Sequence, residues 1–227
     1  MVSPFVAFLI RGNGKNILVD TGPCDEEFSE KYHRKITIPE GCDLISALKK
    51  EGLEPGDLDY LINTHLHWDH CWNNDKFPGK KIYVQKKELQ YAICPMEMHY
   101  GVYESLQTGL TACWLRALNQ LEVVDGEVEI DDGITLIPLP GHTEGLQGVL
   151  VNTTEGEYII TSDCINTYFN WKGDGKLISH YISGIHSDVK AAIETHKKLE
   201  VMEKRGVKIL PGHDVEVAHH GVYPSKK

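Results

Sequence analysis

The sequence predicts an α+β fold built from short strands, with a helical region inserted between its two halves. Three observations carry this. Short apolar runs are punctuated by Gly, Pro and Asp turns; residues 85–119 replace that pattern with helical runs; and in both halves a histidine stands just past the end of a strand. No compositional break, linker or repeat divides the 227 residues, so 1–227 reads as one domain.

Taken in order, the apolar runs 5–10 and 17–19 flank Gly12-Asn13-Gly14-Lys15 and read as a β-hairpin whose second strand leads into Asp20-Thr21-Gly22. Residues 43–51 carry apolar side chains at 44, 45 and 48, with Asp43 as a cap and Gly52 as a stop, which spells a helix. Residues 60–62 form a short strand that delivers a histidine-rich run, and 81–84 form another. The insert follows, its helical runs broken near Pro95 and Gly109. Strands are then expected at 121–124, 127–130, 134–138, 147–151 and 157–162, and an amphipathic helix over 187–205 leads into a last strand at 207–210.

Composition narrows the partners. Hydrophobic residues at 41% supply a sizeable core, and the net charge of −10 is spread along the chain as on a solvated acidic surface. Nucleic acid is not an expected partner, because phosphate binding needs concentrated basic charge and the densest cationic stretch, Lys80-Lys81 with Lys86-Lys87, is short and interrupted. No apolar run approaches the roughly 18 residues that span a bilayer, so no membrane partner is expected. Cys24, Cys42, Cys71, Cys94, Cys113 and Cys164 are scattered without a Cys-x-x-Cys pair, which points to reduced thiols and a cytoplasmic protein.

The chemistry concentrates in His65-Leu66-His67-Trp68-Asp69-His70. In a strand, positions i and i+2 share a face, so His65 and His67 can point at one ion, and a bend after them lets Asp69 and His70 face another. Imidazole nitrogens and carboxylate oxygens suit zinc first, and manganese or iron also. Three more candidates follow apolar strands beside small residues: His142 in Pro-Gly-His-Thr-Glu-Gly, Asp163 in Ile-Ile-Thr-Ser-Asp-Cys, and His213 in Leu-Pro-Gly-His-Asp. Glycine before a histidine lets the backbone turn sharply and set the imidazole at a strand's end.

In its order His-x-His-x-Asp-His, His, Asp, His, the chain resembles the metallo-β-lactamase superfamily over nearly its whole length, and Asp20-Thr21-Gly22 resembles that family's Asp-Thr-Gly support segment. The resemblance implies a four-layer αβ/βα sandwich and two divalent ions. It assigns His65, His67 and His142 to the first ion, Asp69, His70 and His213 to the second, and Asp163 to a bridge between them. A hydroxide shared by the ions would be the nucleophile, and Asp69 would also relay a proton.

Within the superfamily the chain is most similar to the N-acyl homoserine lactonase-like group, through its bridging Asp, its His-Leu-His followed by an aromatic residue and Asp-His, and its helical insert. The expectation is hydrolysis of a small-molecule lactone or related ester. A thioester is the alternative, and an iron-dependent redox reaction ranks behind both. In that group a tyrosine three residues past the bridging aspartate helps bind the substrate carbonyl; here that position is Asn166 and the nearest tyrosine is Tyr168, so both are candidate catalytic residues. Tyr91, Met96, Met98, Tyr100, Tyr103 and Trp114 of the insert are candidates for an acyl pocket, with packing inside the insert as the other reading. An exposed apolar insert would favour a homodimer.

Overall fold

Strands β1 (Phe8–Gly12) and β2 (Lys15–Val19) pair antiparallel across the expected turn, with Gly12 opposite Lys15. In this computed structural model, which describes residues 3–225, the chain forms two compact units: residues 7–124, and residues 3–6 with 125–225.

The first unit continues with helix α1 (Glu26–Tyr32), whose first turn is capped by Asp25 accepting from the Phe28 amide, and α2 (Leu44–Lys50), capped in the same way by Asp43 on the Ser46 amide. After β3 (Tyr60–Ile62) come the single turn α3 (Trp68–Cys71), β4 (Lys81–Gln85), α4 (Lys86–Ile93), α5 (Tyr100–Tyr103) and β5 (Leu121–Val124). The sheet order is β1-β2-β3-β4-β5, parallel from β2 onward. Leu18, Leu61 and Ile82 on the sheet pack with Leu48, Leu58 and Phe77 in one apolar cluster. Each such fully buried side chain is worth about 1.5–3 kcal/mol. Because β2 and β3 run in parallel with Val19 opposite Ile62, both deliver their next residues to the same edge. Asp20 therefore leaves the sheet beside Asn63, with its amide on the Ile62 carbonyl at 2.9 Å.

The second unit holds β6 (Val128–Asp131), β7 (Ile134–Pro138), β8 (Gln147–Thr153), β9 (Gly156–Ser162), α6 (Tyr168–Lys172), α7 (Val189–Lys204), β10 (Lys208–Pro211) and α8 (Val215–His220). Its sheet order is β10-β9-β8-β7-β6, antiparallel except for β9 with β10. Leu139, Leu146, Ile159, Ile165, Leu199 and Ile209 fill its core. The parallel pair sets Pro211 opposite Ser162, so Asp163 and His213 emerge together from neighbouring strands. Pro138 opposite Gln147 closes the loop that carries His142.

The first strand starts at Phe8, later than the apolar run that announces it, and the long helix is trimmed to residues 189–204. The insert consists of α4, α5 and 3-10 turns, including Cys113–Gln120. Among the described residues no helix is long and apolar enough to cross a membrane.

Candidate metal centre

The first unit supplies four of the candidate ligands from one segment. His65 and His67 do not lie on a strand: β3 ends at Ile62, the chain is extended again at His67 (φ −68°, ψ 152°), and the expected bend is the first turn of α3, which carries Asp69 and His70. His65 Nε2 stands 3.0 Å from His67 Nδ1. The ligand atoms of His65 and His70, and those of Asp69 and His70, lie within 4.8 Å of each other.

Asp20 fixes this turn from beneath. It is buried, and its φ of 62° is a left-handed conformation that costs a non-glycine residue about 1–3 kcal/mol and persists where the surroundings enforce it. Its carboxylate accepts from the Thr64 amide and the Thr64 hydroxyl and faces His70 Nδ1, each at 2.7 Å. The carboxylate thus accepts a hydrogen bond from the Nδ1–H of His70. The Thr64 hydroxyl, having donated to Asp20, accepts from His65 Nδ1 at 3.1 Å. Both neutral rings then present the Nε2 lone pair, the form that coordinates a cation. Glu88, also fully buried, accepts from the Leu66 amide at 2.9 Å and from the Tyr103 hydroxyl at 2.7 Å.

The second unit carries His142, Asp163 and His213. Gly141 and Gly212 precede its histidines because nothing larger fits: a Cβ on Gly141 would lie 2.5 Å from the Ala192 Cα, and one on Gly212 would lie 2.7 Å from the Ser162 carbonyl carbon. Ser162, at φ 48°, makes the strained step into Asp163. His142 Nδ1 donates to the Ile185 carbonyl at 2.8 Å and His213 Nδ1 to the Pro4 carbonyl at 2.7 Å. A carbonyl can only accept, so both Nε2 atoms carry lone pairs in the neutral rings.

These two atoms face Asp163: His213 Nε2 is 2.9 Å from Oδ1 and His142 Nε2 is 3.5 Å from Oδ2. Acceptors held this close need a proton or a metal ion between them. The donor set fits divalent ions. Zinc at about 2.0–2.1 Å from tetrahedral ligands sets neighbouring ligand atoms roughly 3.3 Å apart, close to the spacing seen here.

Asn166 Nδ2 reaches Asp163 Oδ2 at 3.4 Å, whereas the Tyr168 hydroxyl donates to the Ile209 carbonyl at 3.0 Å and its amide to Asp214 at 2.7 Å. Burial raises the Tyr168 phenol to about 12. Burial, with the neighbouring Asp163 carboxylate, also raises the Cys164 thiol.

The family model for the metallo-beta-lactamase superfamily matches residues 5–223. The chain belongs to the metallo-β-lactamase superfamily. It is a hydrolase of that superfamily with its α+β fold of two mixed sheets and helices. An N-acyl homoserine lactonase of a Bacillus species is 31% identical over 94% of this chain and 82% of its own length. A solved N-acyl homoserine lactone hydrolase, with the product N-hexanoyl-L-homoserine bound at its catalytic metal centre, superposes with a TM-score of 0.74 at 27% identity, covering 98% of this chain and 86% of that one. A Bacillus thuringiensis lactonase variant with N-decanoyl-L-homoserine in its active site gives 0.73 at 28% identity, covering 98% and 86%.

Around this metallo-β-lactamase ligand turn the structure adds residues that sequence reasoning passed over. Asn63 and Asn74 exchange side-chain bonds, Asn74 Nδ2 donating at 2.7 Å, and the Thr21 hydroxyl donates to Asn74 at 3.0 Å. No spacing marks these amides, nor the bond that Glu88 makes to the Leu66 amide 22 positions away. The insert is split in character. Tyr91, Tyr103 and Trp114 are buried, and the Tyr103 ring packs edge-on to His67 at 4.5 Å. Met96 and Met98 are exposed, and Tyr100 is half-buried.

Proposed function

We propose that this protein opens lactones, N-acyl homoserine lactone-like compounds first, or related esters, at a pair of divalent metal ions, most naturally zinc, held within a single catalytic domain. His65, His67 and His142 would hold one ion, Asp69, His70 and His213 the other, and Asp163 would span both. The observation that carries this is the facing pair His213 Nε2 and Asp163 Oδ1 at 2.9 Å, with the ring's other nitrogen committed to a carbonyl. A carboxylate has two oxygens and can serve ions about 3.5–4 Å apart. The lactonase relatives at about 30% identity support the bond type.

When bound, such ions supply a water of pKa near 7 as nucleophile and polarise the scissile carbonyl. The chain's own residues do the rest. Asp69, largely buried in the turn with its side chain 11% exposed, takes the proton from the attacking water and passes it to the leaving alcohol oxygen. Asn166 donates its amide N–H to the substrate carbonyl, the task that Tyr168, with its hydroxyl on Ile209, is poorly placed to share. His70 and His65 are kept in one tautomer by Asp20 and Thr64.

Proton release measured over short- and long-acyl lactones, a thioester and a β-lactam tests this. Turnover of the lactones supports it, and thioester turnover without lactone opening overturns it. Metal analysis of protein grown without supplement separates zinc from iron or manganese. All six cysteines are free thiols, which supports a cytoplasmic location. Exposed Ile93, Met98 and Leu106 in the insert support a homodimer, tested by mass in solution.

A further inference from the structure

Arg34 belongs to none of the ligand sets above, yet it is fixed against one of them. The residue before it is clamped on two sides: the His33 ring lies flat on Trp68, centroids 4.2 Å apart and planes 3° from parallel, and His33 Nε2 meets the buried Glu104 Oε1 at 2.9 Å. Glu104 is itself anchored, its other oxygen accepting from the Cys113 amide at 3.1 Å. From this clamp the Arg34 guanidinium lies 5.9 Å from the Trp68 ring centroid and sets Nη2 3.5 Å from Asp69 Oδ2. The Arg34 side chain is 59% exposed and that of Asp69 11%, so the cation sits at the solvent end of a ligand carboxylate.

Asp69 supplies the negative partner that lets a cation stand beside a centre built for divalent cations, and the five N–H donors of a guanidinium let it bind a second oxygen while it keeps that pair. A guanidinium is planar and offers its donors as a fixed fork, suited to a carbonyl or carboxylate oxygen arriving from solvent. The substrates of the proposed reaction carry one such oxygen besides the scissile carbonyl: the amide carbonyl of the N-acyl substituent, joined to the ring carbon next to the bond that breaks.

We propose that Arg34 is a specificity-determining residue that donates to the N-acyl amide carbonyl of the lactone. The inference rests on the lactone-opening reading and adds to it the feature by which N-acylated lactones are preferred over lactones without an amide. Discrimination then comes from a charge-assisted hydrogen bond that the amide-free compound cannot accept.

The test compares kcat/KM for an N-acyl homoserine lactone and an alkyl γ-lactone of matched chain length, in the metal-loaded wild type and in Arg34→Ala, Arg34→Gln and Arg34→Lys. The ratio of the two substrates should fall about 10- to 100-fold in Arg34→Ala and Arg34→Gln, mostly through KM for the N-acyl compound. Arg34→Lys should recover part of it. A ratio that stays constant while both substrates weaken together shows that Arg34 acts only by holding Asp69, and overturns the proposal. A ratio and activities equal to wild type overturn it as well. Wild-type protein that opens neither compound overturns the lactone reading itself, which the wild-type arm reveals on its own.

Discussion

Replacing Gly212 by Ala adds one methyl group where the chain leaving β10 toward His213 passes the end of β9 that leads into Asp163. The new Cβ would stand 2.7 Å from the Ser162 carbonyl carbon, 2.8 Å from its Cα and 2.9 Å from its oxygen, all of them backbone atoms. Ordinary carbon contacts need roughly 3.5 Å, so the β9 and β10 ends must separate by most of an ångström. Overpacking of this kind costs about 1–3 kcal/mol, and immovable backbone neighbours place this case at the upper end. In a chain of this size that is a fall in Tm of about 5–10 °C.

The functional loss is larger, because Asp163 follows Ser162 and His213 follows Gly212, and their facing atoms are 2.9 Å apart. A misplacement near 1 Å at reacting groups costs about 100-fold in rate. Thermal unfolding, metal content and lactone turnover measure the three consequences. Gly12→Ala is the control: its Cβ would meet nothing within 4 Å, and its stability should stay within about 0.5 kcal/mol of wild type. A Gly212→Ala protein with wild-type Tm and activity would refute the reasoning.

Three other outcomes follow from the same geometry. Asp20→Asn leaves a donor where three donors converge, and should cost about 1.5–3 kcal/mol in denaturant unfolding and 10- to 100-fold in metal affinity by competition titration. Burial, the largest influence on His196, holds its pKa below the ordinary histidine value, against a hydrogen bond to the Cys164 carbonyl. The unfolded chain then takes up the proton first, so this contribution is complete above about pH 6.5 and lost as pH falls below it; Tm should drop between pH 7.5 and 5.5, and less steeply in His196→Gln. Chelation should lower Tm, and zinc at 100 times its dissociation constant should restore about 2.7 kcal/mol; a Tm indifferent to both would contradict a metal site in the folded state.

Much of the fold was legible because its signals are local. Strands at 121–124 and 134–138 appear where the apolar runs stand, and Asp43 caps its helix as its side chain requires. Helices α1, α6 and α8 were not anticipated. They have seven, five and six residues, too short for periodicity to show, and each is announced only by a cap at Asp25, Thr167 or Asp214. In the candidate site the residues that could hold a metal ion stood out in the sequence because metal chemistry restricts the donor types. The support was less so. Glu88, Asn63 and Asn74 act on backbone and amide groups across 11 to 22 positions of sequence, and no short motif records that. The strand geometry expected for His65 and His67 gave way to an extended link and a helical turn, since β3 ends three residues before His65.

The central claim is that two ions on these seven residues open a lactone ring. Protein stripped by chelation and titrated with zinc while proton release from an N-acyl homoserine lactone is followed tests it most directly. Turnover should be absent without metal, rise with added zinc and level off at two equivalents per chain. Turnover that persists in the metal-free protein, or that saturates at one equivalent with a second failing to bind, would contradict it.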